Sequence, residues 1–72
     1  MEETIKRMTA LKRIRKERGL TQSEVAKMIG ITAHSYARYE CGVRKPTLEM
    51  LIAISKLLGT TPDALLADQY KE

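Results

Sequence analysis

The chain has 72 residues, with 13 Lys and Arg against 9 Asp and Glu, and it lacks both Trp and Phe. That length fits a single domain spanning residues 1–72, and such a chain buries only about 60% of its unfolded surface, so association would add stability. The lone Cys excludes an intramolecular disulfide and suits a reducing cytoplasm; no apolar run reaches the ~20 residues of a membrane span or resembles a signal-peptide core, so a cytoplasmic protein with no membrane partner is expected.

Five helices and no strand are expected, in an all-α fold. The first ends near Arg18, ahead of Gly19, with Met8, Leu11 and Ile14 as its apolar line and Ile5 as a further candidate. Its start is open, because Thr4 and Thr9 can each cap it and neither has Glu at the third position beyond. The second opens at Thr21-x-x-Glu24, a capping box in which the Thr hydroxyl accepts from the Glu24 amide and the carboxylate reaches back to the Thr21 amide. Leu20 and Val25 stand where a hydrophobic staple needs them, and Gly30 ends the helix at a left-handed position.

Ile31-Thr32 repeats the entry signal for a third helix over about residues 33–40, with Ile31 and Tyr36 as its staple. Residues 21–40 therefore read as two short helices about a Gly-containing turn, a helix-turn-helix, with Ala26 small enough for a close crossing. Pro46 disfavours helix at Lys45, which breaks the chain before a fourth helix. Thr47 caps that helix and Gly59 stops it; Leu48, Leu51, Ile52, Ile54, Ser55 and Leu58 form a broad apolar face. A fifth helix of about two turns follows, with Thr61 as cap, Pro62 at its first position and Leu65 and Leu66 as its apolar content. The stretch 69–72 reads as a frayed tail.

Charge is unevenly spread. Residues 1–46 hold eleven Lys and Arg against five Asp and Glu, whereas residues 47–72 hold two against four. A basic front with an acidic back suits one face meeting a polyanion. The run Lys12-Arg13-Arg15-Lys16-Arg18 is ascribed chiefly to solvation and helix packing, while Arg38, Arg44 and Lys45 are ascribed to DNA. On the third helix Tyr36, Tyr39 and Glu40 share one side, and the rows Ala33/Ala37 and His34/Arg38 share the other. The staple turns Tyr36 inward, so the second set is expected to face solvent. An Arg38 guanidinium there can fork onto guanine O6 and N7, His34 can donate to guanine N7 or phosphate, and the Ala33 and Ala37 methyls can pack on thymine. Gln22, opening the second helix, can donate to phosphate beside the helix N-terminus.

The chain resembles the Cro/repressor family of helix-turn-helix regulators, the xenobiotic-response-element type. The resemblance rests on Gln22, Ala26, Gly30, Tyr36, Tyr39 and the closing Glu40-Cys41-Gly42. It extends to Leu11-Lys12-Arg13-Ile14-Arg15, Gly19-Leu20-Thr21-Gln22, Arg44-Lys45-Pro46-Thr47-Leu48, Leu57, Gly59 and Pro62-Asp63-x-Leu65-Leu66, and so covers about residues 8–67. It implies a lambda-repressor-like five-helix domain that reads operator DNA with Ala33, His34, Ala37 and Arg38. It also implies a loop carrying Arg44 and Lys45 along the backbone, and an ion pair between Arg15 and Glu40. The chain departs from the family at Ala33, where Gln or Arg is common, and at Cys41, where Asn or another polar residue is common.

The expected function is double-stranded DNA binding that regulates transcription, as a repressor and a homodimer joined through residues 59–67. A protein-interaction module is the rival class; against it, only residues 1–7 and 67–72 are left to wrap a partner. No sensor segment, small-molecule ligand or cofactor is expected. No metal is expected either, because no Cys or His stands at ligand spacing from His34. Nor do the one His, the one Cys and the carboxylates assemble a nucleophile–base set, so no enzyme is expected.

Overall fold

The computed structural model describes residues 8–67. Among them are five helices and no strand: α1 Thr9–Glu17, α2 Gln22–Ile29, α3 Ala33–Cys41, α4 Leu48–Leu58 and α5 Pro62–Leu65. The expectations placed on Thr4, Ile5 and residues 69–72 fall outside the described residues. No helix among the described residues is long and apolar enough to cross a membrane.

Local chemistry sets the helix boundaries. Both halves of the capping box form: the Glu24 amide donates to Thr21 Oγ1 at 3.0 Å and the Thr21 amide to Glu24 Oε1 at 2.8 Å. Thr32, Thr47 and Thr61 each accept from the amide three residues on, at 3.0, 3.1 and 3.2 Å. Each such cap satisfies an amide that the helix leaves orphaned and is worth about 1 kcal/mol. Gly30 ends α2 at φ 81°, a left-handed conformation that a Cβ would penalise, and the Ile31 amide closes the turn onto the Ala26 carbonyl at 2.9 Å. α1 starts differently: Met8 takes the cap position with no side-chain bond, and Thr9 is already helical. The Met8 amide instead donates to the Glu40 carbonyl at 3.1 Å, tying the start of α1 to the end of α3.

The helices surround one core built from Met8, Leu11, Ile14, Val25, Ala26, Tyr36, Tyr39, Leu51, Ile54, Leu58 and Leu65. α2 and α3 make the largest mutual contact, with Ala26 buried as a close crossing requires. Tyr36 and Tyr39 pack edge-to-face, ring centroids 6.4 Å apart, filling volume that a chain without Phe or Trp must fill with tyrosine.

Two expectations about the C-terminal half are corrected. The apolar face of α4 is narrower than its composition implies: Leu51, Ile54, Ser55 and Leu58 are buried, whereas Leu48 is 68% and Ile52 39% exposed. Leu51, Ile54 and Leu58 already meet the bundle, and Met50 and Leu57 pack half-buried on the same core from one flank, so the opposite flank with Leu48 and Ile52 stays exposed. α5 is a single turn, and Leu66 follows it as the capping residue. Leu65 is fully buried, and Leu66 packs half-buried against the core. The segment 59–67 therefore offers little free apolar surface.

Candidate nucleic-acid interface

α3 separates its two faces cleanly. Tyr36, Tyr39 and Glu40 point into the protein. Ala33, His34 and Arg38 are exposed and Ala37 is half-buried, so the four residues expected to read bases share the outer side. Thr32 leads this helix with a satisfied cap, leaving an ordered N-terminal turn at the surface.

The end of α3 is tied to the loop that follows. Gly42 adopts φ 82°, and the amides of Val43 and Arg44 donate to the Arg38 carbonyl at 3.1 and 3.3 Å. Arg44 and Lys45, both exposed, are thereby held close to the helix that carries Arg38. A backbone carbonyl of the candidate reader is thus the anchor of the candidate phosphate loop.

The inner face is held by charge. Arg15 Nε donates to Glu40 Oε2 at 2.6 Å and Nη2 to Oε1 at 3.1 Å, a two-pronged bond between α1 and α3. The two side chains are 7% and 3% exposed. Nη1 of Arg15 donates to the Leu20 carbonyl at 2.8 Å, so the same guanidinium also fixes the turn before α2. Gln22 completes the cluster by donating from Nε2 to Glu40 Oε1 at 2.9 Å. The Gln22 amide, expected to point at a phosphate, is therefore committed in part to Glu40; one N–H and the oxygen are left for another partner. The Tyr36 hydroxyl is buried beside the pair without completing a hydrogen bond.

Burial alone would raise the Glu40 carboxyl, but the hydrogen bonds from Arg15 and then from Gln22 outweigh it and hold its pKa below the usual glutamate range. The hydrogen bond to Glu40 correspondingly raises the Arg15 guanidinium. For Tyr36, burial first and the nearby Glu40 second push ionisation well above the ordinary phenol range. The pH consequence follows from the sign of the Glu40 shift. A carboxyl with a lowered folded-state pKa adds stability above its unfolded value and loses it as pH falls through the folded one. Wild-type denaturation midpoints should therefore drop below the ordinary glutamate range, and Glu40→Gln should lose part of that acid sensitivity. Identical acid profiles for the two proteins, followed by urea melts, would remove Glu40 as the group responsible.

The basic run on α1 divides by use. Arg15 is consumed by the buried pair, Arg13 meets Glu17 at 3.2 Å, and Arg18 Nε donates to the Leu58 carbonyl at 2.7 Å. That last bond caps the C-terminal end of α4, where a cation also meets the negative end of the helix dipole. Lys12 and Lys16 remain exposed, four residues apart on one side of α1. Lys12 lines a cavity of about 130 Å³ together with Thr9, Gln22, Glu40 and Cys41. Sequence reasoning missed both the α4 cap by Arg18 and the place of Lys12 on the rim that Gln22 also lines.

A family model described as helix-turn-helix matches residues 11–65. The chain belongs to the helix-turn-helix family. Its likeness to YqaE of Bacillus subtilis, an HTH-type transcriptional regulator, is 42% identity over 62 residues, 86% of this chain and 53% of YqaE. The chain spans about half the length of the curated relatives it matches. Among solved structures of helix-turn-helix proteins, the P22 c2 repressor in complex with a synthetic operator superposes with a TM-score of 0.71 at 31% identity, covering 76% of this chain and 83% of that one. The hydroxypropylphosphonic acid epoxidase of S. wedmorenis superposes with a TM-score of 0.72 at 30% identity, covering 86% of this chain but only 35% of the enzyme.

Proposed function

We propose that this chain is a sequence-specific double-stranded DNA-binding regulator of transcription, acting as a repressor. α3 enters the major groove, Arg38 reads guanine, His34 donates to a base or phosphate, and Ala33 and Ala37 meet thymine methyls. The observation that carries this reading is the division of α3, whose outer side presents Arg38 and His34 while its inner side is clamped by Glu40. The names of its relatives and the operator bound to the P22 c2 repressor support it. Gln22, Arg44 and Lys45 hold the phosphates, with the unbonded Gln22 N–H available for that purpose. Lys12 joins them, since it borders the same cavity as Gln22.

A single domain of this kind gives nonspecific affinity of order micromolar at best. Two copies on half-sites about 34 Å apart supply useful specificity, because the second contact becomes intramolecular. Repression then follows from occupancy of the operator. A catalytic role is disfavoured by distance: the one His and the one Cys stand seven residues apart on α3, about 10 Å along the helix, beyond the reach of a nucleophile and its base.

The test is a salt titration on a duplex carrying a pseudo-palindrome and on a scrambled duplex. Wild type should prefer the first. Arg44→Ala, Lys45→Ala and Lys12→Ala should each weaken both duplexes about equally and reduce the slope of log K against log salt by about one per lost phosphate contact. A slope unchanged in all three variants would remove these cations from the interface. Equal wild-type affinity for every duplex tried from the gene's own upstream region would sink sequence-specific regulation there.

A further inference from the structure

We propose that two copies of this chain associate through the outer face of α4, antiparallel about a two-fold axis passing between Ile52 and Ala53. The inference rests on the reading that a pair of subunits acts together on DNA, and it replaces the segment 59–67 as the contact.

The face is defined by what α4 leaves uncovered. Leu48 and Ile52, four residues apart, are the large apolar side chains of α4 that stay exposed, and Glu49, Ala53 and Lys56 are exposed beside them. At 100° per residue these five positions fall on one side of the helix, away from the buried line of Leu51, Ile54 and Leu58. Lone exposed apolar residues need no explanation, but an apolar pair flanked by opposite charges is the composition of an interface centre with a polar rim.

The charges identify the occupant. Glu49 and Lys56 lie seven residues apart, close to two full turns, so they share one stripe. Reversing the helix about the midpoint of 49 and 56, which falls between Ile52 and Ala53, puts Glu49 where Lys56 stood and Lys56 where Glu49 stood. A second copy laid antiparallel therefore meets each carboxylate with an ammonium, twice, as an isologous contact requires. A parallel pair would instead place Glu49 against Glu49 and Lys56 against Lys56. Around the axis Ile52 faces its own counterpart on one side and the small Ala53 faces its own on the other, which lets the backbones approach. Leu48 then covers the methylene stem of the partner's Lys56.

The experiment is sedimentation equilibrium of the full 72-residue chain without DNA, for wild type, Glu49→Lys, Lys56→Glu and the double charge reversal. Circular dichroism melts confirm that each variant folds, which these exposed positions should allow. Wild type should dimerise reversibly. Each single reversal brings like charges together at two places and should raise the dimer Kd roughly tenfold or more. The double reversal restores opposite pairs and should return Kd to within about threefold of wild type, a rescue that general surface-charge effects do not give. Ile52→Ser should weaken the dimer in either charge background. A wild type that stays monomeric, single reversals without effect, or a double reversal that fails to rescue would each overturn the proposal. Loss of the dimer in Leu66→Glu but in none of the α4 variants would overturn it in favour of the C-terminal segment. Because these measurements omit DNA, they succeed or fail apart from the reading of α3 as a DNA-binding element.

Discussion

Glu40→Ala should destabilise the domain by about 3–5 kcal/mol, because it strands a guanidinium that the fold has already taken out of water. Arg15 and Glu40 are almost fully enclosed, and two of the Arg15 nitrogens donate to this one carboxylate. After truncation Arg15 keeps its bond to the Leu20 carbonyl, and the Gln22 amide loses its acceptor as well. A domain of this size has roughly 4–10 kcal/mol of stability in all, so the loss would consume a large part of it. The melting temperature should fall by more than about 12 °C. Arg15→Ala should also be costly, since it leaves Glu40 enclosed with only Gln22. The double variant should be far less damaging than the two singles added together, because neither charge is then stranded. Denaturant melts of the three variants decide it. Small, additive effects would mean that water reaches the pair and that it contributes no more than a surface contact of about 0–1 kcal/mol.

Arg38→Ala should leave the melt within about 0.5 kcal/mol of wild type and yet abolish preference for the operator. The Arg38 side chain is exposed and its structural duty lies in its backbone carbonyl, which accepts from Val43 and Arg44 whatever the side chain is. A bidentate arginine–guanine contact is worth about 1–3 kcal/mol of discrimination, and two subunits would lose it twice, about 2–6 kcal/mol. Affinities for operator and scrambled duplex are to be compared at one salt concentration. Arg38→Lys keeps the charge but not the fork, and should recover nonspecific affinity more fully than discrimination. An operator-to-scrambled ratio that survives Arg38→Ala would remove Arg38 as the reader and shift that role to His34.

What the sequence disclosed divides by range. The caps at Thr21, Thr32, Thr47 and Thr61 were legible because each needs only its own residue and the amide three positions on. The inward turn of Tyr36 was legible because the staple with Ile31 settles which side of α3 faces the core. The exposure of Leu48 and Ile52 is not legible for a physical reason: helical periodicity registers apolar residues but does not reveal how wide a face the neighbouring helices cover. Gln22 was read by its position at a helix start, whereas its bond to Glu40 depends on a residue 18 positions away. The Arg18 cap on Leu58 joins residues 40 apart and leaves no local signature at all.

Because Glu40, Tyr36 and Tyr39 carry the structural duty of α3, its outer positions are released from any duty to the core. Ala33, His34 and Arg38 can be exchanged for other side chains at almost no cost in folding, provided the helix former is reasonable. Folding and the proposed reading are thus written on different sides of a nine-residue helix. On the proposed function, a few substitutions there would change the address recognised, while the backbone contacts proposed for Arg44 and Lys45 would stay where they are. New specificities should therefore arise on this chain more readily than gains in stability, and a library restricted to positions 33, 34 and 38 is the place to select them.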